Sequence, residues 1–253
     1  GVGDLLGKRL SRLDWYVAQA VHGDTVHEDL LGYLHAAIDR CVETMFADGV
    51  DPYRPGTAGP LAAGLVASGL AITLHGSSRP ASGSDHHIAH FLELQGLMGR
   101  VPSHLHGEKV ALGTHLMTRL YNRVFRQSFD AFARFVQKSA APAGAADAAR
   151  ERRLQRAYGP VADQALSAYR ESLADGARRA AVLERLERGW SGLARRVVHE
   201  LQSPEETDRL LARARLSVDT DRLGYDNTVI EDALLCAKEI RRRYTLLSLL
   251  DEL

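Results

Sequence analysis

Helical spacing of apolar residues along most of the chain is the feature that most limits what it can fold into. Leu5, Leu6, Leu10, Leu13 and Val17 recur mostly three or four residues apart, the period that puts side chains on one face of an α-helix. Ala, Leu and Arg dominate and β-branched residues are scarce. The first group loses little freedom in a helix and the second loses more. No βαβ alternation and no internal repeat is visible. The expected fold class is therefore all-α, a helical bundle.

Residues 4–21 read as the first helix, and Asp24 or Thr25 is placed to cap a second running to Ala47. Residues 51–59 form a loop by their Pro and Gly content. An apolar helix with small residues follows over 61–74, then a Gly/Ser/Pro loop over 76–84. Helices are expected over 85–99 and from His106 to Lys138. The Ala-rich stretch 140–149 has the composition of an exposed hinge, so the organisation is one helical domain over 1–253 with a hinge near 139–149. Ser203 followed by Pro204 fits a capped helix start. Asp226 or Asn227 should cap the helix carrying Ile230, Leu234 and Ala237, and the tail 244–253 should pack back on the bundle.

With 253 residues the chain can bury a sizeable core. Lys+Arg and Asp+Glu are both 32, so no net charge draws it toward nucleic acid or an anionic membrane. The run Arg241, Arg242 and Arg243 reads as a solvated helix face. Cys41 and Cys236 are far apart and sit among apolar residues, as buried free thiols do, which makes the cytoplasm the expected compartment. No apolar run of about 18 residues is found, so no membrane insertion is expected. No signal peptide is visible.

Histidine carries the chemistry. Of 11, five lie between positions 86 and 106. His86 and His90 are four apart and share a helix face, whereas His87 points elsewhere. His106 opens the next helix. One His on each of two adjacent helices, with a carboxylate from elsewhere, would give an N2O donor set with an open coordination position. The bland alternative, a histidine satisfied in the core or at the surface, is the commoner fate of any one of them. In the loop before His86, Ser77, Ser78, Arg79, Ser82 and Ser84 cluster with two glycines. Hydroxyls, a guanidinium and free backbone N–H groups suit a phosphate, and they equally suit a helix-capping turn.

The stretch Gly76-Ser77-Ser78-Arg79-Pro80-Ala81-Ser82-Gly83-Ser84-Asp85-His86-His87-Ile88-Ala89-His90 resembles the signature of the sn-glycerol-1-phosphate dehydrogenase family, within the metal-dependent polyol dehydrogenases. His106-Gly107-Glu108-Lys109-Val110-Ala111-Leu112-Gly113-Thr114 resembles the HGxxVxxGT element that follows it. Gly3-Asp4 resembles the element supplying a carboxylate ligand, and residues 237–247 resemble the closing IRxRYTxL run. The matches occur in the family's order from the first residues to the last. The resemblance implies the helical C-terminal domain of such an enzyme. It implies that Asp4, His86 and His106 ligate a divalent metal, zinc before nickel or iron, with His90 a near-site catalytic residue rather than a ligand. It also tips the 76–84 loop toward holding a substrate phosphate.

Hydride transfer needs a nicotinamide and a fold to hold it. The family's N-terminal dinucleotide-binding domain is expected to be absent from this chain, because Gly1-Val2-Gly3 has no strand before it. NAD(P) would enter only if a separate domain or chain supplied its site. The partners expected are a small phosphorylated polyol, possible nicotinamide-binding machinery, and other copies in a homo-oligomer. The alternative is a stand-alone metal-dependent lyase, isomerase or hydrolase acting on a phosphorylated metabolite, or a non-catalytic subunit.

Overall fold

The computed structural model describes residues 1–139 and 148–253, and every regular element among them is a helix. The expected hinge falls largely on 140–147, outside the described residues.

Two helices are broken where the sequence reading ran them together. The first comprises α1 (Val2–Gly7) and α2 (Leu10–His22). At the break the Ser11 hydroxyl donates to the Lys8 carbonyl at 2.7 Å, a local bond that competes with the helical ladder. Next come α3 (Glu28–Met45), α4 (Ala58–His75) and α5 (Ser84–Leu97). The second break separates α6 (His106–Phe125) from α7 (Phe129–Ser139). There the Ser128 hydroxyl accepts from the Ala131 N–H, and the Trp190 indole donates to the Gln127 carbonyl at 3.1 Å. Then follow α8 (Ala148–Tyr158), α9 (Ala162–Ser172) and α10 (Gly176–Glu200). The last three are α11 (Pro204–Arg213), α12 (Asn227–Cys236) and α13 (Leu246–Glu252). Two of the expected caps are present: Ser203 accepts from the Glu206 N–H, and Asp226 from the Val229 N–H. The cap expected at Asp24 or Thr25 is not, because α3 begins at Glu28 with His27 at its N-cap and no side-chain bond there.

Two apolar clusters hold the bundle. The smaller joins α1, α3 and α4 through Leu5, Leu34, Ile38 and Ala71. The larger runs from α2, α5 and α6 to the C-terminus, with Phe91, Tyr121, Phe132 and Trp190 among its members. Cys41 and Cys236 are both buried free thiols. The reading that no apolar segment reaches membrane-spanning length is corrected by α4. Residues 55–75 contain an 18-residue window with a mean hydropathy of 1.5, of which only 28% is buried. Gly, Ser and Thr interrupt the run without adding a charge, and for that reason it escapes a search for continuous hydrophobes.

His35 on α3 is buried and its Nε2 has no partner. Burial, aided by the Arg12 and Arg9 guanidiniums, pushes it down to about 3. The unfolded chain, with His35 near 6.5, therefore binds more protons than the folded one between these values. Stability present above pH 6.5 is lost as pH falls through that window, by about 2 kcal/mol at pH 5. Urea denaturation at pH 7.5 and 5 should show this loss, and His35→Gln should reduce the pH dependence by that amount. An unchanged pH dependence in the variant would refute the assignment.

Candidate metal centre and adjoining anion site

Two glycines bring the candidate ligands together. A Cβ on Gly3 would stand 2.1 Å from the Gly107 carbonyl oxygen, so α1 crosses the first turn of α6 at a distance that leaves no room for a side chain. Asp4 follows Gly3 and His106 precedes Gly107, and the crossing carries both into one cluster. A Cβ on Gly113 would lie 2.4 Å from the Asp85 carbonyl oxygen. There α5 meets α6 backbone to backbone, beside His86.

Asp4 Oδ1 lies 3.1 Å from His86 Nε2 and 3.8 Å from His106 Nε2. One donor atom from each of the three residues lies within 4.8 Å of the others. Metal–ligand bonds are about 2.0–2.2 Å long, so one cation can reach all three. Each imidazole is backed by a carboxylate. His86 Nδ1 is 2.9 Å from Asp85 Oδ2, and His106 Nδ1 is 2.7 Å from Glu93 Oε1. A ring proton on Nδ1, facing its carboxylate, would leave Nε2 free to take a cation beside Asp4, the arrangement that second-layer carboxylates give to metal-ligating histidines. Two imidazole nitrogens and one carboxylate oxygen fit a borderline dication better than calcium or magnesium.

The electrostatics show how much negative charge gathers here. Burial opposes the charged form of His86, yet the Asp85 and Asp4 carboxylates outweigh it and push the imidazole up to about 9. Burial would likewise raise Asp4, but hydrogen bonds to His86 and Lys8 hold its carboxyl well below the usual range. Lys8 Nζ lies 2.9 Å from Asp4 Oδ1.

His90 borders this cluster without joining the triad. Its ring stacks 5.5 Å from that of His106, and its Nδ1 is 2.7 Å from Glu93 Oε2. His90, Glu93 and His106 also form a convergent set, in which each Glu93 oxygen already engages one imidazole. His87 is fully buried with both ring nitrogens unpartnered, and His104 Nε2 lies 2.9 Å from the Leu223 carbonyl oxygen. Neither belongs to the triad.

The 76–84 loop is divided by the structure. Arg79 turns away, pairing with Asp24 at 2.7 Å and lying over the Trp15 ring. Ser77 Oγ is 2.8 Å from His75 Nδ1. Ser84 donates its N–H to Asp14, while its hydroxyl and that of Ser82 are buried without partners. Ser78 Oγ instead accepts from both Arg241 Nη1 at 3.0 Å and Arg243 Nη2 at 2.8 Å. Arg243 also donates to the Ser82 carbonyl, and Arg241 Nη2 stands 3.2 Å from His90 Nε2. Among the described residues neither guanidinium has an ion pair with a carboxylate. Burial, Arg241 and Arg79 push Arg243 down to about 10. Two cations thus share one hydroxyl with no carboxylate in direct contact, an arrangement that could receive an anion. Arg241 and Arg242 are exposed, as the solvated reading expects, but the run lies beyond the last turn of residues 237–240 rather than on a helix face, and Arg243 is half-buried. Glu93 was also missed by the sequence reading, although its i,i+3 spacing from His90 was visible.

No protein-family model matches the chain. Curated relatives do. Over its full length the chain is 26% identical to glycerol-1-phosphate dehydrogenase (NAD(P)+) of Geobacillus stearothermophilus, covering 52% of that protein. It is 33% identical over 132 residues to the enzyme of the same name from Halalkalibacterium halodurans, covering 52% of this chain and 33% of the relative. It is 40% identical over 126 residues to that from Staphylothermus marinus, covering 48% and 32%. The chain thus spans between about a third and about half the length of these relatives.

The backbone contact makes a prediction. Gly3→Ala should force α1 off α6, lowering folding stability by roughly 1–3 kcal/mol and weakening divalent-metal binding. Gly32→Ala on α3, where an added Cβ meets nothing within 4 Å, should stabilise by about 0.5–1 kcal/mol. Thermal denaturation and a cobalt titration would read both. Equal behaviour of the two variants would show that the crossing tolerates a side chain.

Proposed function

The chain is related to the glycerol-1-phosphate dehydrogenases, and from that premise we propose that it is the metal- and substrate-binding half of an NAD(P)-dependent dehydrogenase. The reaction would interconvert a small phosphorylated polyol, glycerol-1-phosphate-like, and its ketone. The observation that carries the proposal is the convergence of Asp4, His86 and His106 within 4.8 Å, next to an anion site of two unpaired arginines.

Asp4 Oδ1, His86 Nε2 and His106 Nε2 would hold the metal, zinc before nickel or iron. Such a cation would supply Lewis-acid polarisation of a substrate hydroxyl or carbonyl oxygen. Asp85 and Glu93 fix the tautomers of the two imidazoles. Ser78, Arg241 and Arg243 take the phosphate, with the unpartnered hydroxyls of Ser82 and Ser84 and the Arg79 charge in reserve behind them. His90, in contact with Arg241 and Glu93, lies between the phosphate end and the metal end and is placed to move a proton to or from the substrate oxygen. A nicotinamide, which would accept or give the hydride, would have to be held by a domain or chain outside these residues.

Metal analysis tests the first part. The purified chain should carry one zinc-like dication. His86→Ala and His106→Ala should abolish stoichiometric metal, while His104→Ala should retain it. Full metal content in His86→Ala would remove the chemical foundation of the reading. Calorimetry on the metal-loaded chain tests the second part. Arg243→Gln should weaken glycerol-1-phosphate by about tenfold or more, the worth of one charge-assisted contact, and leave glycerol unaffected. Arg79→Gln should do less, because Asp24 already engages that guanidinium. Equal losses for both ligands would make Arg243 a structural residue.

A further inference from the structure

Away from the metal centre, α6, α7, α8, α12 and α13 surround a cavity of about 880 Å³, in the upper part of the range of roughly 300–1,000 Å³ over which small-molecule pockets fall. Neither the metal triad nor Ser78, Arg241 or Arg243 lines it. On α6 the nearest lining residue to the metal, Leu116, lies about 15 Å along the helix axis from His106. The floor is aliphatic. Leu116 and Leu120 of α6, Leu173 after α9, Leu234 of α12 and Leu250 of α13 are only partly buried against the main core, and all five line this cavity. Isolated exposed hydrophobes are ordinary, but half-buried leucines from separate elements meeting in one hollow are the mark of a binding site.

The walls are cationic. Among the described residues, seven arginines and two carboxylates line the cavity. Four of the arginines are paired: Arg119 with Asp208, Arg150 with Asp251, and Arg153 and Arg156 both with Asp232. Arg123 lies over the Phe135 ring, and neither it nor Arg152 has a carboxylate partner among the described residues. Both are exposed, which puts them at the mouth. Deeper in, the side chain of Arg150 is only 10% exposed, and its Nε has no hydrogen-bond partner.

This lining selects the ligand. Ser172 and Tyr169 are the only uncharged polar side chains among the described lining residues, and the Ser172 hydroxyl already donates to the Tyr169 carbonyl at 2.8 Å. A sugar or a nucleobase on the leucine floor would leave its polar edges unpaired, at a cost. A saturated chain there needs no partner. The guanidiniums above the leucines favour an anion, and their planar forks match a carboxylate or a phosphate. We propose that the cavity takes a single-chain amphiphile with an anionic head. The chain lies along the leucines, and the head meets Arg123 and Arg152 at the mouth.

Isothermal titration of the full chain with decyl phosphate, kept below its micelle concentration, should show one saturable site in this cavity. Decanol should bind at least about tenfold more weakly, and decyltrimethylammonium more weakly still. Arg123→Gln combined with Arg152→Gln should lower the affinity for decyl phosphate about tenfold, toward that for decanol, and leave decanol unchanged. Both positions are exposed, so the double variant keeps its fold. Leu120→Trp, which fills the hollow, should abolish binding of both compounds while helical circular dichroism stays unchanged. Arg243→Gln should alter neither affinity, which separates this site from the one proposed for the polyol phosphate.

No saturable binding by the wild-type chain, or equal affinity for the three head groups, would overturn the proposal. So would a double arginine variant that binds decyl phosphate as the wild type does, or loss of that binding in Arg243→Gln. Flotation of the chain with phosphatidylglycerol vesicles that persists in Leu120→Trp would overturn it too, because the arginines would then serve a membrane surface rather than a ligand in the cavity.

Discussion

The buried carboxylate of Asp14 ties together the parts of the fold that make the site. It sits on α2 and accepts three hydrogen bonds from three other segments: the Ser84 N–H at the start of α5 (2.6 Å), the Leu246 N–H at the start of α13 (2.8 Å) and the Tyr121 hydroxyl on α6 (2.6 Å). Burial raises its carboxyl, and these three bonds only partly offset that rise. A buried carboxylate is tolerated only when its oxygens are satisfied, so the three segments cannot shift independently. The approach is close enough that a Cβ on Gly83 would stand 2.4 Å from Asp14 Oδ2. The start of α5, and with it His86, is placed by a residue that takes no part in the candidate chemistry.

Much of the fold was legible in local sequence. The α-helical class followed from spacing and composition, and the caps at Ser203 and Asp226 followed from residue type alone. What local reading could not supply was decided at a distance. The single helix expected over 4–21 ends at Gly7, where an added Cβ would stand 2.4 Å from Asp85 Oδ2 on α5. The helix expected over 106–138 breaks where Trp190, more than sixty positions away, takes the Gln127 carbonyl. A hydrophobic period reports a helix's face and says little about where tertiary contacts interrupt it.

The candidate site was legible in a different way. The order of motifs singled out Asp4, His86 and His106, and the glycines beside two of them have a physical meaning in the contact between Gly3 and Gly107. The loop serines were singled out as a group, whereas the structure distinguishes them by their partners. Arg79, the one cation in that loop, is drawn to Asp24 and Trp15. The cations that reach Ser78 come from Arg241 and Arg243, more than 160 positions further along. No spacing rule links those segments. Their only sequence mark was a basic run whose ordinary fate is to face water.

Charge, rather than shape alone, gives the region its direction. On one side Asp4, Asp85 and Glu93 gather around two imidazoles, and His86 is pushed up to about 9 in response. On the other, Arg241 and Arg243 share a hydroxyl without a carboxylate, and Arg243 is pushed down to about 10. One end therefore favours a cation and the other an anion. His90 touches both, through Glu93 and through Arg241. Burial holds its own protonation below the ordinary value, so at neutral pH it adds no charge to either end. A ligand lying across His90 is sorted by polarity before any bond to it is made. An anionic group on such a ligand would be repelled from the carboxylates and drawn to the arginines. Two opposed charge clusters separated by one uncharged ring would thus orient a dipolar ligand with few direct contacts.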